Sequence, residues 1–248
     1  YMVSIITPAW NSSAYIAETI DSVLDQTYED WEMIVVDDFS SDSTNHIVRG
    51  YMAMDDRVRL ISLENHVGPA EARNTAIRAA RGRYIAFLDS DDLWHPQKLE
   101  RQLDFMQHNG CAFSFTNYQR IKGTRATRLN VIRVPRKIGY SAYLKNTIIG
   151  ALTVILDRQQ TGDFEMPNIR SSHDMALWCE ILKRGFKAYG LREILAYYRV
   201  MPGSHTARKL RAARDVWKVY REIEQLKLLP SSVNFVFYAC NALRKRIW

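Results

Sequence analysis

The segment Asp89-Ser90-Asp91-Asp92 carries three carboxylates within four consecutive residues. Carboxylates this close repel one another unless a positive charge lies among them. A divalent cation that also holds a diphosphate would supply that charge, because hard cations take oxygen ligands from one or two carboxylates together with substrate phosphates. The segment therefore predicts a metal site for a diphosphate-containing ligand, in preference to a helix cap.

Two further segments place polar residues where an apolar run ends. Thr7-Pro8-Ala9-Trp10-Asn11 closes the first run, and Asp37-Asp38-Phe39-Ser40-Ser41-Asp42-Ser43-Thr44 closes the second. Residues of these types either contact a ligand or cap the following helix. For Ser40 and Asp42 the sequence leaves both interpretations open.

Arg73 lies in Gly68-Pro69-Ala70-Glu71-Ala72-Arg73-Asn74, on a predicted helix whose alanines would pack inward. Its planar, permanently charged guanidinium suits a place near a nucleotide or its phosphates. The alternative is a solvated arginine on the helix surface.

The elements that must position these residues alternate between strands and helices. Short apolar or β-branched runs predict buried strands over 3–7, 31–36, 58–62 and 84–88. Helical patterns follow the cap candidates Ser12 and Ser13, the Ser40-Ser41-Asp42 segment, and Gly68, where the helix runs from about Pro69 to Ala80. This alternation predicts an α/β fold with a Rossmann-like, mostly parallel central sheet and helices on both faces. Ligands of such sheets bind outside the carboxyl ends of the strands, where the polar segments converge.

The second half of the chain is less regular. A helix begins near His95-Pro96, the segments Cys111–Asn117 and Ile148–Leu156 are strand candidates, and a helix over Asp174–Arg184 ends at Gly185. Residues 120–139 are basic and weakly patterned, which predicts a loop or flap.

Four motifs in order, Val3–Asn11, Val35–Thr44, Gly68–Asn74 and Tyr84–Asp92, resemble the N-terminal half of glycosyltransferase family 2, which has the GT-A fold. The resemblance extends over roughly residues 2–205. It implies inverting transfer of a sugar from a nucleoside diphosphate sugar, most often a UDP-sugar, with Mn²⁺ or Mg²⁺ as cofactor.

The resemblance also implies roles for individual residues of the donor site. Thr7 and Asp38 would meet the base, Asp89 would hold the ribose, and Asp91 would bind the metal, whereas Asp92 would face the donor sugar or the acceptor. The remaining residues assigned to the donor are Pro8, Ala9, Asn11, Arg73 and Ser90.

Ser172-His173-Asp174-Met175-Ala176-Leu177-Trp178 resembles the second acidic motif of the family, Glu-Asp followed by two residues and Leu-Trp. Asp174 stands at the position of the base that removes the acceptor proton, although a helix dipole alone also favours an acidic residue there. His173 replaces the usual Glu, which leaves its effect on Asp174 and on the acceptor open. Trp178 lies one turn along the same helical face, either as a core residue or as a platform for a sugar.

Tyr197-Tyr198-Arg199 and Gly203-Ser204-His205-Thr206 resemble the closing segment of the family's catalytic domain. Arg199 is assigned to the acceptor or sugar side. His205 is a candidate metal ligand or diphosphate contact, the alternative being a solvated loop histidine.

The excess positive charge of the chain is confined to its C-terminal tail. The net charge is +7, and residues 205–248 hold ten basic and three acidic residues, so the rest is neutral and argues against a nucleic-acid partner. We predict a catalytic domain over 1–205, with a nucleotide-binding half (1–92) and an acceptor-binding half (93–205), followed by a basic helical extension over 206–248. Basic and aromatic residues together suit the surface of an anionic bilayer, and a helix packed on the catalytic body is the equal alternative.

No apolar run reaches the roughly 18 residues of a membrane span, and no signal peptide is expected. The three cysteines lack metal-ligand or disulfide spacing, which favours a reducing, cytoplasmic setting, with peripheral contact at the inner face of the cytoplasmic membrane. The tail resembles those of bacterial enzymes that build capsule, teichuronic-acid or O-antigen chains on lipid carriers. The acceptor would then be a saccharide or a lipid-linked saccharide.

Three other functions account less well for these motifs. A phosphatase acting on a sugar phosphate also uses Asp-x-Asp, but after its first strand, whereas here the motif follows the fourth. A nucleotidyltransferase shares the sheet type, but its Gly-rich, Arg-containing loop after the first strand is missing. The third is a non-catalytic basic membrane-binding module. No Gly-x-Gly-x-x-Gly or Gly-Lys-Ser/Thr loop supports a dinucleotide or P-loop enzyme.

Overall fold

In a computed structural model, the described residues, 1–123, 126–169, 171–200 and 209–247, form a mixed β-sheet flanked by helices. The strands are β1 (Val3–Ala9), β2 (Trp31–Asp37), β3 (Val58–Ser62), β4 (Tyr84–Phe87), β5 (Leu93–Trp94), β6 (Phe113–Lys122), β7 (Thr127–Ile132), β8 (Lys137–Ile138), β9 (Ile155–Asp157) and β10 (Ala188–Val200). The helices are α1 (Ile16–Leu24), α2 (Thr44–Met52), α3 (Pro69–Ala79), α4 (Lys98–Asn109), α5 (Tyr140–Lys145), α6 (Arg158–Thr161), α7 (His173–Lys183), α8 (Lys209–Lys218) and α9 (Leu228–Ile247).

The sheet joins both halves of the chain in the order β3-β2-β1-β4-β9-β6-β10-β5, with β7 beside β6 and β8 beside β10. β1 is parallel to β2 and β4, β2 is parallel to β3, and β6 is parallel to β10, while β9 runs antiparallel between β4 and β6. Alternate residues of β1 enter cores on opposite faces: Ile5 packs with Ile16 and Ile20 of α1, and Ile6 packs with Ala72 of α3. The predicted α/β architecture is confirmed.

Two predictions for the second half are wrong. Residues 120–139 are not a flap, because β6 continues to Lys122 and pairs with β7 in an antiparallel hairpin. The first three residues of β7, Thr127, Arg128 and Leu129, are exposed, and the strand is buried only at Ile132, so its sequence shows little apolar pattern. Only the end of the segment 148–156 is a strand, since residues 151–153 form a 3₁₀ turn in which the Thr153 hydroxyl donates to the Gly150 carbonyl over 2.7 Å.

The C-terminal tail packs on the body through α8 and the π-helical turn that follows it. Val216, Val219 and Tyr220 are buried, and the Tyr220 hydroxyl donates to the Leu144 carbonyl. Glu224 accepts an ion pair from Lys183 of α7 at 3.0 Å. These contacts support the packed-helix alternative for this part of the tail. Within the described ranges, no helix is both long and apolar enough to cross a membrane.

Candidate active site

The polar loops at the carboxyl ends of β1, β2 and β4 meet, as predicted. The Asn11 amide donates to the Ser40 hydroxyl over 2.9 Å, and the Asn11 side-chain oxygen accepts from the Ser41 amide over 2.9 Å. The Ser12 and Ser90 hydroxyls lie 2.7 Å apart. Ser12 therefore joins two loops, and the prediction that it caps α1 is wrong, because α1 begins after Tyr15 without a side-chain cap.

Asp42 and Ser40 act as structural residues of these loops. The Asp42 carboxylate accepts from the Thr44 amide over 2.9 Å and from the Ser13 amide over 3.0 Å. Although burial raises the pKa of Asp42, these hydrogen bonds lower it to about 2, so the carboxylate stays ionised at the start of α2. Of the two interpretations left open for Asp42, the structure supports the helix-terminal one.

One cavity of about 660 Å³ lies between the β1–α1 loop and the segment before α3. Its walls carry Trp10, whose ring lies 4.7 Å from the His66 ring and whose surface is 54% exposed. The buried Asp38 carboxylate accepts from the Val67 and Gly68 amides over 2.7 and 2.9 Å, and lies 2.9 Å from His66 Nδ1. Asp38 thus fixes the loop that carries His66. The pair of Trp10 and His66 was not predicted from the sequence. The available signal was a Trp placed before a polar residue, directly after a predicted buried strand.

The β1 residues predicted to meet the donor differ in how they relate to this cavity. Ala9 lines the cavity beside Asp38, and Pro8 is half-buried at the end of β1. Thr7 is fully buried, lies opposite Val35 of β2 and is not among the residues that line this cavity, so its contact with the base stays a prediction. Its hydroxyl has no hydrogen-bond partner in the described part of the chain.

A second cavity, of about 390 Å³, adjoins the first at Pro69. It collects most of the charged residues singled out from the sequence. These are Arg73, Asp89, Asp91, Asp92, His173, Asp174 and Arg199.

The three carboxylates of the acidic segment have different surroundings. Asp89 pairs with Arg73, and Asp92 accepts from the Arg199 amide over 2.7 Å. Burial and the neighbouring carboxylates raise the pKa of Asp91 to about 6 and the pKa of Asp92 well above its usual value. Asp91 forms no ion pair with any described residue. A carboxylate that is both repelled by its neighbours and unpaired suits a cation.

The residues present fit a metal that is held jointly by protein and ligand. No described group of three or more His, Cys, Asp or Glu side chains has the arrangement of a metal site. A cation here would therefore take Asp91 together with oxygens of a diphosphate, as Mg²⁺ commonly does. His205, the other candidate ligand, lies outside the described residues.

His173 and Arg73 form a buried pair beside the carboxylates. Arg73 Nη1 lies 2.6 Å from His173 Nε2, and Arg73 Nη2 pairs with the Asp89 carboxylate. Burial and the Arg73 charge lower the pKa of His173 to about 4, so the imidazole is neutral at pH 7 and accepts from Arg73. The histidine that departs from the family motif therefore orients Arg73 and does not add a charge next to Asp174.

Asp174 lies in the first turn of α7, half-buried, and its Oδ1 accepts from the Met175 amide over 2.8 Å. It opens into the same cavity as Asp91. Trp178 does not line this cavity, because its indole is fully buried. The centroid of the indole ring lies 5.5 Å from that of Phe87 and 5.3 Å from that of Phe113. Of the two alternatives that the sequence leaves open for Trp178, the structure supports the core residue.

Arg199 is fully buried at the end of β10 and holds the acidic loop in place. Its Nε donates to the Asp91 carbonyl over 2.7 Å, and its Nη2 pairs with Glu18 of α1 at 2.7 Å. With the Arg199 amide bound to Asp92, one residue fixes two consecutive acidic positions. This is a positioning role behind the carboxylates, where the sequence predicted contact with the acceptor or sugar.

Lys98, which the sequence did not single out, supports the opposite wall. Its fully buried ammonium donates to Gln102 over 2.5 Å, and burial lowers its pKa to about 7. Gln102 Nε2 donates to the Thr153 carbonyl over 2.9 Å. The pair thereby holds the turn over 151–153, part of which lines the cavity.

The model described as Glycosyl transferase family 2 matches residues 4–163. The chain belongs to this family. The Asp-rich segment, Arg73 and the β1 and β2 loops all lie within the matched range.

Similar full-length sequences and a similar structure agree with this assignment. The chain is 49% identical to the "Putative teichuronic acid biosynthesis glycosyltransferase TuaG" of Bacillus subtilis (strain 168), over 99% of this chain and 98% of that protein. It is 41% identical to the "UDP-Glc:alpha-D-GlcNAc-diphosphoundecaprenol beta-1,3-glucosyltransferase WfgD" of Escherichia coli, over 88% and 85% of the two chains. The mannosyltransferase PcManGT from Pyrobaculum calidifontis, solved with GDP-Man and Mn²⁺, superimposes with a TM-score of 0.72 at 20% identity, over 95% of this chain and 68% of that one. The similarity to PcManGT shows a shared fold, and none of these comparisons supports the phosphatase, nucleotidyltransferase or non-catalytic alternatives.

Proposed function

We propose that the chain transfers a sugar from a UDP-sugar, with inversion and with a divalent metal, to a hydroxyl of a lipid-linked saccharide. The observation that carries the proposal is that Asp91 and Asp174 line one cavity together with Asp89, Asp92 and Arg73. A metal-binding carboxylate and a half-buried carboxylate suited to proton removal thus share one space. The printed name of WfgD, which includes UDP-Glc and a diphosphoundecaprenol acceptor, supports the donor and acceptor classes.

The donor would extend across both cavities. The base would lie in the larger one, against the Trp10 ring and near the Asp38 carboxylate, with Asp89 at the ribose. The diphosphate would lie in the smaller cavity beside Asp91 and Arg73. When bound, Mn²⁺ or Mg²⁺ would stabilise the charge that develops on the departing diphosphate; the Mn²⁺ in the PcManGT structure supports this cofactor class.

Asp174 would act as the base. As the acceptor hydroxyl oxygen attacks the anomeric carbon, the bond to UDP breaks and the hydroxyl proton passes to the Asp174 carboxylate. One in-line displacement inverts the configuration at that carbon. His173, neutral and bound to Arg73, keeps the cation of Arg73 next to the leaving diphosphate and away from Asp174.

Residues 206–248 would also contact the membrane that carries the acceptor. Several apolar side chains of α9 point to solvent, and the exposed Arg221 and Lys227 lie near its start. The exposed apolar side chains are Leu228, Leu229, Val233, Val236 and Phe237. A helix with apolar and basic surfaces binds anionic lipid surfaces.

The test of the proposed function is a panel of UDP- and GDP-sugars incubated with Mn²⁺ and lipid-linked saccharides. We expect release of UDP and transfer of one sugar. Release of inorganic phosphate from a sugar phosphate, or formation of a nucleotide sugar from a triphosphate, would instead indicate a phosphatase or a nucleotidyltransferase.

Asp38→Asn is expected to weaken UDP binding by about 10- to 100-fold and to reduce the preference for UDP over GDP. A hydrogen bond to a charged group contributes about 1.5–3 kcal/mol, and the variant loses the charge of the carboxylate that would accept a hydrogen bond from the uracil imide N–H. Calorimetric titration with UDP and with GDP measures both effects, with Asp104→Asn on the exposed side of α4 as control. Equal weakening for both nucleotides would show that Asp38 acts only by holding the loop of His66.

Replacing Leu229 and Val236 together by serine is expected to lower binding to phosphatidylglycerol vesicles at least about tenfold. Each large apolar side chain gains roughly 1.5–3 kcal/mol when it leaves water. Vesicle co-sedimentation at low salt measures the loss, and Leu129→Ser, an exposed leucine of β7, is the matched control. Equal binding by the double variant and the wild-type chain would contradict membrane contact through α9.

A further inference from the structure

A third cavity, of about 330 Å³, adjoins the carboxylate cavity at Ser171, Ser172 and Asp174. Its remaining walls come from three parts of the chain. The segment after α4 contributes Tyr143, Thr147 and Ile149, and the first turn of α7 contributes Met175; the tail contributes Ala212, Asp215, Val216 and Tyr238. Asp174 thus separates the space proposed for the donor from a space whose outer wall is the C-terminal tail.

The tail wall is anchored to the body. Val216 is buried, and the next turns of the tail are tied down by Tyr220, which donates to the Leu144 carbonyl, and by Glu224, which pairs with Lys183. On α9, Asn241 donates to the Lys145 carbonyl over 2.9 Å. These contacts lie on α5 and α7, the helices on either side of the cavity, so the tail holds a defined position next to Asp174.

The chemistry of the walls suits an uncharged sugar. Asp174 and Asp215 are its charged lining residues, and no Lys or Arg is among the described residues that line it. Two carboxylates repel a phosphate, whereas they accept hydrogen bonds from sugar hydroxyls. Asp215 is half-buried and has no ion pair in the described part of the chain. Val216, Ile149 and Tyr143 provide apolar surface for the C–H face of a sugar ring.

We propose that this cavity binds the acceptor saccharide and that the tail selects it. The inference rests on the proposed function, because it takes Asp174 as the base. The volume of this cavity is at the lower end of the range for ligand cavities, roughly 300–1,000 Å³, which fits the terminal sugar of the acceptor. The diphosphate and lipid of the acceptor would lie outside it. Acceptor choice would then depend on residues beyond 4–163, the part matched by the family model.

The test is to fill the cavity from the tail. Ala212→Trp is expected to lower kcat/KM for the acceptor at least tenfold, while UDP affinity with Mn²⁺ stays within twofold of wild type. Arg214→Trp places the same side chain at an exposed position of α8 and is expected to leave both values unchanged. Transfer is measured with α-D-GlcNAc-diphosphoundecaprenol and with lipid-linked saccharides of other terminal sugars, using the donor that the panel identifies.

Asp215→Asn keeps the size of the side chain, so it tests the same cavity even if the tryptophan variant does not fold. It is expected to raise the acceptor KM about tenfold without changing UDP affinity. The inference is overturned if Asp215→Asn and a folded Ala212→Trp both keep the wild-type acceptor KM, or if Arg214→Trp loses as much transfer as Ala212→Trp. A wild-type chain that releases UDP but transfers to none of these saccharides would contradict the proposed function itself, and the inference would fall with it.

Discussion

Asp174→Asn is expected to lower sugar transfer by at least about two orders of magnitude while the affinity for UDP with Mn²⁺ stays close to wild type. General-base catalysis typically contributes 10²–10⁴-fold, and an amide cannot take the acceptor proton. The fold should be retained, because the asparagine oxygen can still accept from the Met175 amide as Asp174 Oδ1 does. Initial rates of transfer and calorimetric UDP titration measure the two effects.

Asp104→Asn is the control for this variant, since Asp104 is an exposed carboxylate on α4, away from the cavities described above. It is expected to match wild type in both measurements. Near-normal turnover by folded Asp174→Asn protein would exclude Asp174 as the base. Asp92, buried in the same cavity, would then be the next carboxylate to test.

Asp91→Asn is expected to remove the Mn²⁺ dependence of UDP binding and to lower transfer by at least about two orders of magnitude. Lewis-acid stabilisation of a leaving group contributes several kcal/mol, and each 1.4 kcal/mol or so changes the rate about tenfold. The thermal stability of the metal-free protein should not fall, because Asp91 has no ion pair in the described structure and its charge raises the pKa of the buried Asp92.

The measurement is thermal unfolding with and without UDP and Mn²⁺. A ligand at 100 times its Kd adds about 2.7 kcal/mol to the stability of the wild-type chain. In Asp91→Asn the increment due to Mn²⁺ should disappear while a smaller increment from UDP alone remains. An unchanged Mn²⁺ increment would show that another group binds the metal.

The first half of the fold could be predicted from local pattern. Parallel strands covered on both faces are nearly continuous apolar runs, and this pattern predicts the strands over 31–36 and 84–88. Pro69 after Gly68 marks the start of α3. The acidic segment was also evident, because three adjacent carboxylates have few structural explanations. The family resemblance then located Asp174.

Burial depth and long-range contacts could not be predicted in the same way. Thr7 and Trp178 stand in the expected motifs, but covering elements far away in the chain bury both side chains. Helical spacing places Trp178 one turn after Asp174 on the same face of α7. It does not show that the residues after Asp174 are already buried in the core. The cavity behind Asp174 requires residues 143–149 to meet residues 212–238, a contact that no local pattern encodes.

The central claim is a single displacement assisted by Asp174, and the anomeric configuration of the first product tests it most directly. We predict that NMR of the newly formed glycoside, made from a UDP-α-linked sugar, shows the β configuration, and that Asp174→Asn forms this product far more slowly. An α-linked first product would contradict the account, because retention requires two displacements or front-face attack and leaves Asp174 without the role proposed for it.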